Sequence, residues 1–506
     1  MIYRPVMRLA ATPFVVGFML LAASPAFARG APDSFADLAE KLLPAVVNIA
    51  TTQKVTDSSR NDPNLEELFK QFFDRQNRDN NNGGGDNNGG GDNGDNGGTG
   101  GGDNGGTGGA HEVTSLGSGF IIDATGYIVT NNHVIEGAEE ITVRTQDNTE
   151  YKAKLIGHDP KTDLALLKIE SPTPLPFVDW GDSDKARIGD WVVAIGNPFG
   201  LGGTVTAGIV SARQRDINAG PYDDFIQTDA AINRGNSGGP MFDMDGKVIG
   251  INTAIFSPSG GSIGIGFALP SSLAKGVIAQ LRQFGHPRRG WLGVRIQSVT
   301  PELAEGLKMP KPMGALIAAV TDGGPAAKAG IKQGDVVISF NGQEIAEMRH
   351  LPRIVAETPF DTSVPVTVLR QGKEMNFQVK LGELDETAET KQASTDTTVQ
   401  PKQPDKTKMV LGLSLAEMSD ALRQKYSIAD EASGVVVLDV DAKSNAATKG
   451  LKAGDVIVEV DQGSVATPAD VEKRIATAKA NGFKVVTLLV YRQGDFQWVA
   501  VRTDQG

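Results

Sequence analysis

The strongest constraint on how this chain folds is an internal repeat. The run Ala326-Ala327-Lys328-Ala329-Gly330-Ile331-Lys332-Gln333-Gly334-Asp335-Val336-Val337 returns as Ala446-Ala447-Thr448-Lys449-Gly450-Leu451-Lys452-Ala453-Gly454-Asp455-Val456-Ile457, 120 residues downstream (454 − 334). Each copy follows a Leu-Gly-apolar triplet, Leu292-Gly293-Val294 in the first and Leu411-Gly412-Leu413 in the second. The C-terminal part is therefore expected to hold two copies of one folding unit. Glu383 to Lys408, between them, is charged, contains Thr and Pro and is poor in apolar residues, which predicts a flexible linker.

The part before the repeat has another rhythm. From Gly117 to Pro270 short apolar runs alternate with turn residues, as in Phe120-Ile121-Ile122, Trp191-Val192-Val193-Ala194 and Val248-Ile249-Gly250-Ile251. That spacing predicts a mainly β fold, a double barrel rather than alternating strands and helices. Ser271 to Phe284 reads as a closing helix, and Asp33 to Leu43 as a short helix ended by Pro44. Asn80 to Gly109 is nearly pure Gly, Asn and Asp; it buries no apolar surface and is expected to be disordered. An amphipathic segment containing Phe69, Phe72 and Phe73 precedes it.

The 506 residues include no cysteine, which excludes thiol chemistry and disulfides, so packed cores must stabilise the fold. A net charge of −12 argues against nucleic acid or an acidic membrane surface as partner. Met1 to Ala28 has the form of a cleavable export signal: Arg4 and Arg8, an apolar stretch from Leu9 to Ala23, then Ala26-Phe27-Ala28. An exported chain with no stable membrane span after cleavage is expected.

The chemistry is written around Arg234-Gly235-Asn236-Ser237-Gly238-Gly239-Pro240. Glycines beside a serine allow a tight turn that aims backbone N–H groups at whatever the hydroxyl attacks. Serine needs a base and an orienting acid. Of His111, His133, His158, His286 and His350, only His133 sits where an apolar strand runs into a turn, Ile128-Val129-Thr130-Asn131-Asn132-His133. Asp163 heads the apolar run Leu164-Ala165-Leu166-Leu167, thirty residues on (163 − 133). Gly235-Asn236-Ser237-Gly238-Gly239 also satisfies the G-x-S-x-G elbow of α/β-hydrolases, but those enzymes place acid and histidine after the serine. The order His133, Asp163, Ser237 is that of the chymotrypsin-type fold. Ser272-Leu273-Ala274-Lys275 fits S-x-x-K without the partner motifs of that class, and no histidine cluster suggests zinc.

Thr130-Asn131-Asn132-His133-Val134, Thr162-Asp163-Leu164-Ala165-Leu166 and Gly235-Asn236-Ser237-Gly238-Gly239 resemble the three motifs of the HtrA/Deg serine proteases. Ala194-Ile195-Gly196-Asn197-Pro198-Phe199-Gly200 and Asn252-Thr253-Ala254-Ile255 match that family too, and the two repeats resemble PDZ domains. The resemblance is to the bacterial periplasmic, DegP-like branch. It implies a signal peptide (1–28), a trypsin-like protease domain (29–287) with a disordered insertion (75–112), a first PDZ domain (288–383), a linker (384–408) and a second PDZ domain (409–506).

It also implies roles. His133, Asp163 and Ser237 would be the catalytic set, with Gly235, Asn236 and Ser237 around the oxyanion. Ala231 and Ile232 would floor the specificity pocket, and Thr253, Ala254, Ile255, Phe256 and Ser257 would wall it. Leu292, Gly293 and Val294 would bind substrate C-termini, with Arg289 adding charge. No metal or other cofactor is required. The implied function is degradation of unfolded or misfolded polypeptides in the periplasm as stress-linked quality control, by a homo-oligomer built from trimers. A chaperone-like holdase with secondary proteolysis and an esterase-like hydrolase are the alternatives.

Overall fold

The computed structural model describes residues 32–55, 111–197, 203–233, 235–257, 261–385, 408–430 and 432–504. The export signal, the Gly/Asn tract with Phe69, Phe72 and Phe73, and residues 386–407 of the linker lie outside the described residues.

The chain starts with helix α1 (Ala36–Leu42) and strands β1 (Val46–Val55), β2 (His111–Ile121) and β3 (Tyr127–Thr130). A four-residue helix, α2 (Asn132–Ile135), precedes β4 (Glu140–Arg144), β5 (Glu150–Lys152), β6 (Lys154–Asp159) and β7 (Leu164–Lys168). These strands form a seven-stranded antiparallel sheet in the order β5-β4-β1-β2-β3-β7-β6. β7 shows why the run Leu-Ala-Leu-Leu lacks polar alternation. Leu164 and Leu166 join the core shared with the second sheet, while Ala165 and Leu167 pack into this sheet's own interior, so both faces are buried.

A closed barrel follows, made of β8 (Trp191–Gly196), β9 (Thr204–Arg215), β10 (Phe225–Thr228), β11 (Pro240–Phe242), β12 (Val248–Ile255) and β13 (Gly266–Pro270). Helix α3 (Ser271–Phe284) closes the domain with the expected bounds. It buries Leu273, Ala274, Ile278 and Leu281, and Gly285, at φ 79°, caps its end by donating to Leu281 O. Phe120, Val129, Leu164 and Leu166 from the sheet meet Val193, Ile195, Phe242 and Ile251 from the barrel in one cluster.

The first repeat comprises β14 (Gly290–Trp291), β15 (Val294–Ser298), α4 (Pro301–Gly306), β16 (Ala315–Val320), α5 (Pro325–Ala329), β17 (Val336–Phe340), β18 (Gln343–Glu344), α6 (His350–Glu357), β19 (Ser363–Arg370), β20 (Lys373–Lys380) and β21 (Gly382–Glu383). The second comprises β22 (Lys408–Val410), β23 (Leu413–Glu417), α7 (Asp420–Tyr426), β24 (Val435–Val440), α8 (Asn445–Thr448), β25 (Val456–Val460), β26 (Gly463–Ser464), α9 (Pro468–Ala480), β27 (Val485–Arg492) and β28 (Asp495–Arg502). The repeated Gly-Asp has a physical reason. Asp335 and Asp455 are each 1% exposed, and a buried carboxylate must be paired. Arg370 grips Asp335 with two bonds of 2.6 and 2.7 Å, and Arg492 grips Asp455 with two of 2.6 Å.

The units are fastened to one another. The Arg289 guanidinium is buried against the Asp159 carboxylate of β6 and lies 4.9 Å from the Tyr222 ring. Arg289 is therefore committed to the junction with β6 rather than to the Leu292-Gly293-Val294 turn. Arg353 of α6 pairs with Asp224 at 3.1 Å, and Arg349 donates to Gln214 O at 3.0 Å. His350 is half-buried there, and its Nε2 has no hydrogen-bond partner among the described residues. The second repeat does not hang free on its linker. Trp498 of β28 is 1% exposed, clusters with Leu316 and Val336 of the first repeat and donates from Nε1 to Ile317 O at 3.1 Å.

Candidate active site

Three connections between elements bring the chemistry together. His133 lies in α2, after β3; Asp163 immediately precedes β7; Ser237 sits in the turn before β11. β3 and β7 are paired, with Thr130 opposite Ala165, so the histidine and the aspartate leave neighbouring strand ends.

Asp163 adopts a left-handed φ of 55°, which aspartate tolerates better than most residues. In that conformation its carbonyl accepts from Asn132 N (3.1 Å) and from Asn131 Nδ2 (2.8 Å). Its carboxylate accepts from the His133 backbone N–H at 2.8 Å through Oδ1, while Oδ2 lies 2.6 Å from His133 Nδ1. That contact favours the Nδ1–H tautomer and leaves Nε2 as the basic nitrogen. Burial pulls the imidazole pKa down, but the Asp163 charge, its hydrogen bond and nearby Glu136 outweigh it, so the net shift is upward. A protonated His133 takes no proton from a nucleophile, so activity is lost as pH falls through this raised value. The acid limb of kcat/KM is thus expected above the usual histidine value of about 6.5. Glu136→Gln should move it downward, which a pH–rate profile of both proteins checks.

The serine turn is held from one side by Ser118, itself fully buried. Ser118 N–H donates to Ser237 O (2.9 Å), its Oγ donates to Gly235 O (2.5 Å) and accepts from Asn197 N (2.7 Å). Thr130 Oγ1 donates to Ser118 O at 2.7 Å, tying this clamp to the strand that leads to His133. Gly238, at φ 83°, admits no side chain: a Cβ would lie 2.2 Å from Ser118 O and 2.3 Å from Thr130 Oγ1. On the other side Gly238 N–H donates to Asn252 O and Asn252 N–H to Gly239 O, both at 2.8 Å.

The Asn236 N–H donates to Asn233 O at 3.0 Å and is engaged within its own turn. The N–H groups of Gly235 and Ser237 form no hydrogen bond among the described residues. Ser118→Ala removes the hydroxyl that orients the Gly235 carbonyl and with it the neighbouring peptide. A fall in kcat of about tenfold, below the 10²–10³ of losing a donor outright, is expected, with KM and the acid limb unchanged. Steady-state kinetics across pH test this.

A cavity of about 580 Å³ opens beside His133, bounded by Thr162, Tyr222, Asp223, Phe225, Thr253–Phe256 and Phe267. Of the expected pocket residues, Thr253, Ala254, Ile255 and Phe256 line it. Ala231, Ile232 and Ser257 do not; Ile232 is buried near Gly266, and Ser257 Oγ donates to Gly261 O. Asp229, acidic and close in sequence, accepts from Ile209 N at 2.7 Å. The loop from Arg215 to Phe225 carries no motif in the sequence. Asp223 holds it by accepting from Ile217 N (3.0 Å) and Ala219 N (2.8 Å), and burial pushes that carboxyl up to about 6.

Residues 117–251 match the trypsin-like peptidase domain family, and residues 290–381 and 410–503 each match the PDZ domain family. The chain is 45% identical over 490 residues to a Brucella suis protein named "probable periplasmic serine endoprotease DegP-like", covering 93% of this chain and 90% of that one. A Rickettsia conorii protein of the same name is 43% identical over 484 residues, covering 93% and 89%. Among solved structures, an HtrA-type protease, AlgW, with a bound decapeptide superposes with a TM-score of 0.53 at 41% identity, over 70% of this chain and 99% of that one.

Proposed function

We propose, because this chain belongs to the DegP-like family of serine endoproteases, that it cleaves unfolded polypeptides in the periplasm through Ser237, His133 and Asp163. The observation that carries this reading is the 2.6 Å contact between His133 and Asp163 at the mouth of a cavity bordered by Thr253–Phe256. Ser237 Oγ attacks the peptide carbonyl while His133 Nε2 accepts its proton, then returns it to the leaving amine. Asp163 holds the imidazole tautomer and stabilises the imidazolium. The Gly235 and Ser237 N–H groups receive the oxyanion; one such donor is worth about 3 kcal/mol of transition-state stabilisation.

Substrate capture falls to the first PDZ domain. Gly293, at φ 75°, turns the chain between β14 and β15, and β15 ends its sheet, paired on one side with β16. An extended peptide adds to such an edge as a further strand, its carboxylate meeting turn N–H groups. Attachment there raises the effective concentration of the rest of the substrate at the cleft.

Asp229 is engaged with the backbone of β9 and Asp223 with that of its own loop, which supports a preference for aliphatic rather than basic residues before the scissile bond. Digestion of a reduced, unfolded protein followed by sequencing of the fragments is expected to return mostly Val, Ile, Ala and Leu at new C-termini. A predominance of Lys or Arg would refute the pocket assignment, and an intact substrate would refute the function.

A further inference from the structure

The two PDZ domains share their strand order but differ at the edge where a peptide would add. In the first, β14 pairs with β21 (Gly290 opposite Glu383, Trp291 opposite Gly382), which holds the segment before the Leu-Gly turn away from β15. In the second, the corresponding segment folds back on the next strand: Lys408 lies opposite Leu415, Met409 opposite Ser414 and Val410 opposite Leu413. β23 is therefore flanked on both sides, by β22 and β24. The two turns differ accordingly. Leu411 and Gly412 take φ values of 53° and 75°, the two consecutive positive values of a type I′ hairpin, whereas in the first domain only Gly293 is positive.

The folded-back strand behaves as a captured peptide would. It runs antiparallel to β23 and occupies the edge to which an extended peptide would add as a strand. Val410 and Leu411 are 9% and 7% exposed, in one apolar cluster with Leu413 and Leu415 of β23 and Val471 and Ile475 of α9. Lys408 forms an ion pair with Glu472 of the same helix. Met409, between them, points to solvent at 70% exposure.

We propose that the second PDZ domain carries a peptide-binding groove already filled by its own chain, Lys408–Val410, and takes an apolar C-terminal peptide only when that strand is displaced. This rests on the reading that the first domain captures substrate C-termini. An incoming peptide competes with a tethered strand at an effective concentration of millimolar order.

The test is the number of peptides bound per chain. Calorimetric titration would use the full-length protein, inactivated with a serine-directed phosphofluoridate, and a decapeptide ending in Val-Val with a free carboxylate. One peptide per chain is expected for the native protein and two for Lys408→Glu/Val410→Asp, whose Asp would be buried unpaired in the filled groove. The chain has no cysteine, so Met409→Cys/Ser414→Cys gives a defined second test. The pair adjoins the one that closes the two-residue turn, so it is the non-hydrogen-bonded kind, whose close Cβ atoms suit a disulfide. Adding this pair to the displaced variant and oxidising it should return the count to one. Two peptides bound by the native protein, unchanged when Met409→Cys/Ser414→Cys alone is oxidised, would overturn the proposal. So would no gain in a displaced variant that keeps its native unfolding transition. Zero bound by the native protein but one by the displaced variant would sink capture by the first domain and leave the filled groove standing.

Discussion

Ser237→Ala is expected to lower kcat on an unfolded protein substrate by at least about 10⁴-fold, with the fold intact. Removing one oxygen eliminates the covalent intermediate, and backbone N–H donors and substrate binding alone supply only residual catalysis. The turn itself survives, because it is built without that oxygen. Ser118 holds the Ser237 and Gly235 carbonyls, and Asn252 pairs with the amide of Gly238 and the carbonyl of Gly239. Thermal unfolding within a degree or two of the native protein and unchanged peptide binding should accompany the loss. Residual activity within tenfold of the native enzyme would remove Ser237 from the role of nucleophile.

Asp163→Asn is the second large effect, expected at about 10⁴-fold in kcat with KM little altered. Asparagine keeps the size of the side chain and accepts φ 55° as readily as aspartate. It also keeps an oxygen for the His133 backbone N–H. What changes is the atom facing His133 Nδ1, where an amide N–H replaces the carboxylate oxygen found at 2.6 Å. The ring must then accept there and carry its proton on Nε2, which removes the base. The charge that raised the imidazole pKa is lost as well, so residual activity should show an acid limb at lower pH. A loss below tenfold, or an unmoved limb, would show that Asp163 acts only through packing.

Much of the architecture was legible in the chain because it rests on local rules. The run Leu164–Leu167 had to be a buried strand, Ser271–Phe284 had the spacing of an amphipathic helix stopped by glycine, and the repeat announced two like domains. The order His133, Asp163, Ser237 selected the fold class, since each side chain must arrive from its own connection.

Only the folded chain decided the rest, because pairings between distant residues leave no periodic trace in sequence. Ser118 becomes a clamp on Ser237 by a backbone hydrogen bond across 119 positions (237 − 118). Arg289, beside the Leu292-Gly293-Val294 turn in sequence, is consumed by a buried aspartate 130 residues earlier. Asn236, between Gly235 and Ser237, spends its N–H on its own turn. The sharpest case is the pair of triplets Leu292-Gly293-Val294 and Leu411-Gly412-Leu413. They read alike, yet one precedes a strand with a single partner and the other closes a hairpin. Which occurs depends on whether another strand, such as β21, holds the preceding segment aside, and that is a property of the sheet rather than of the triplet.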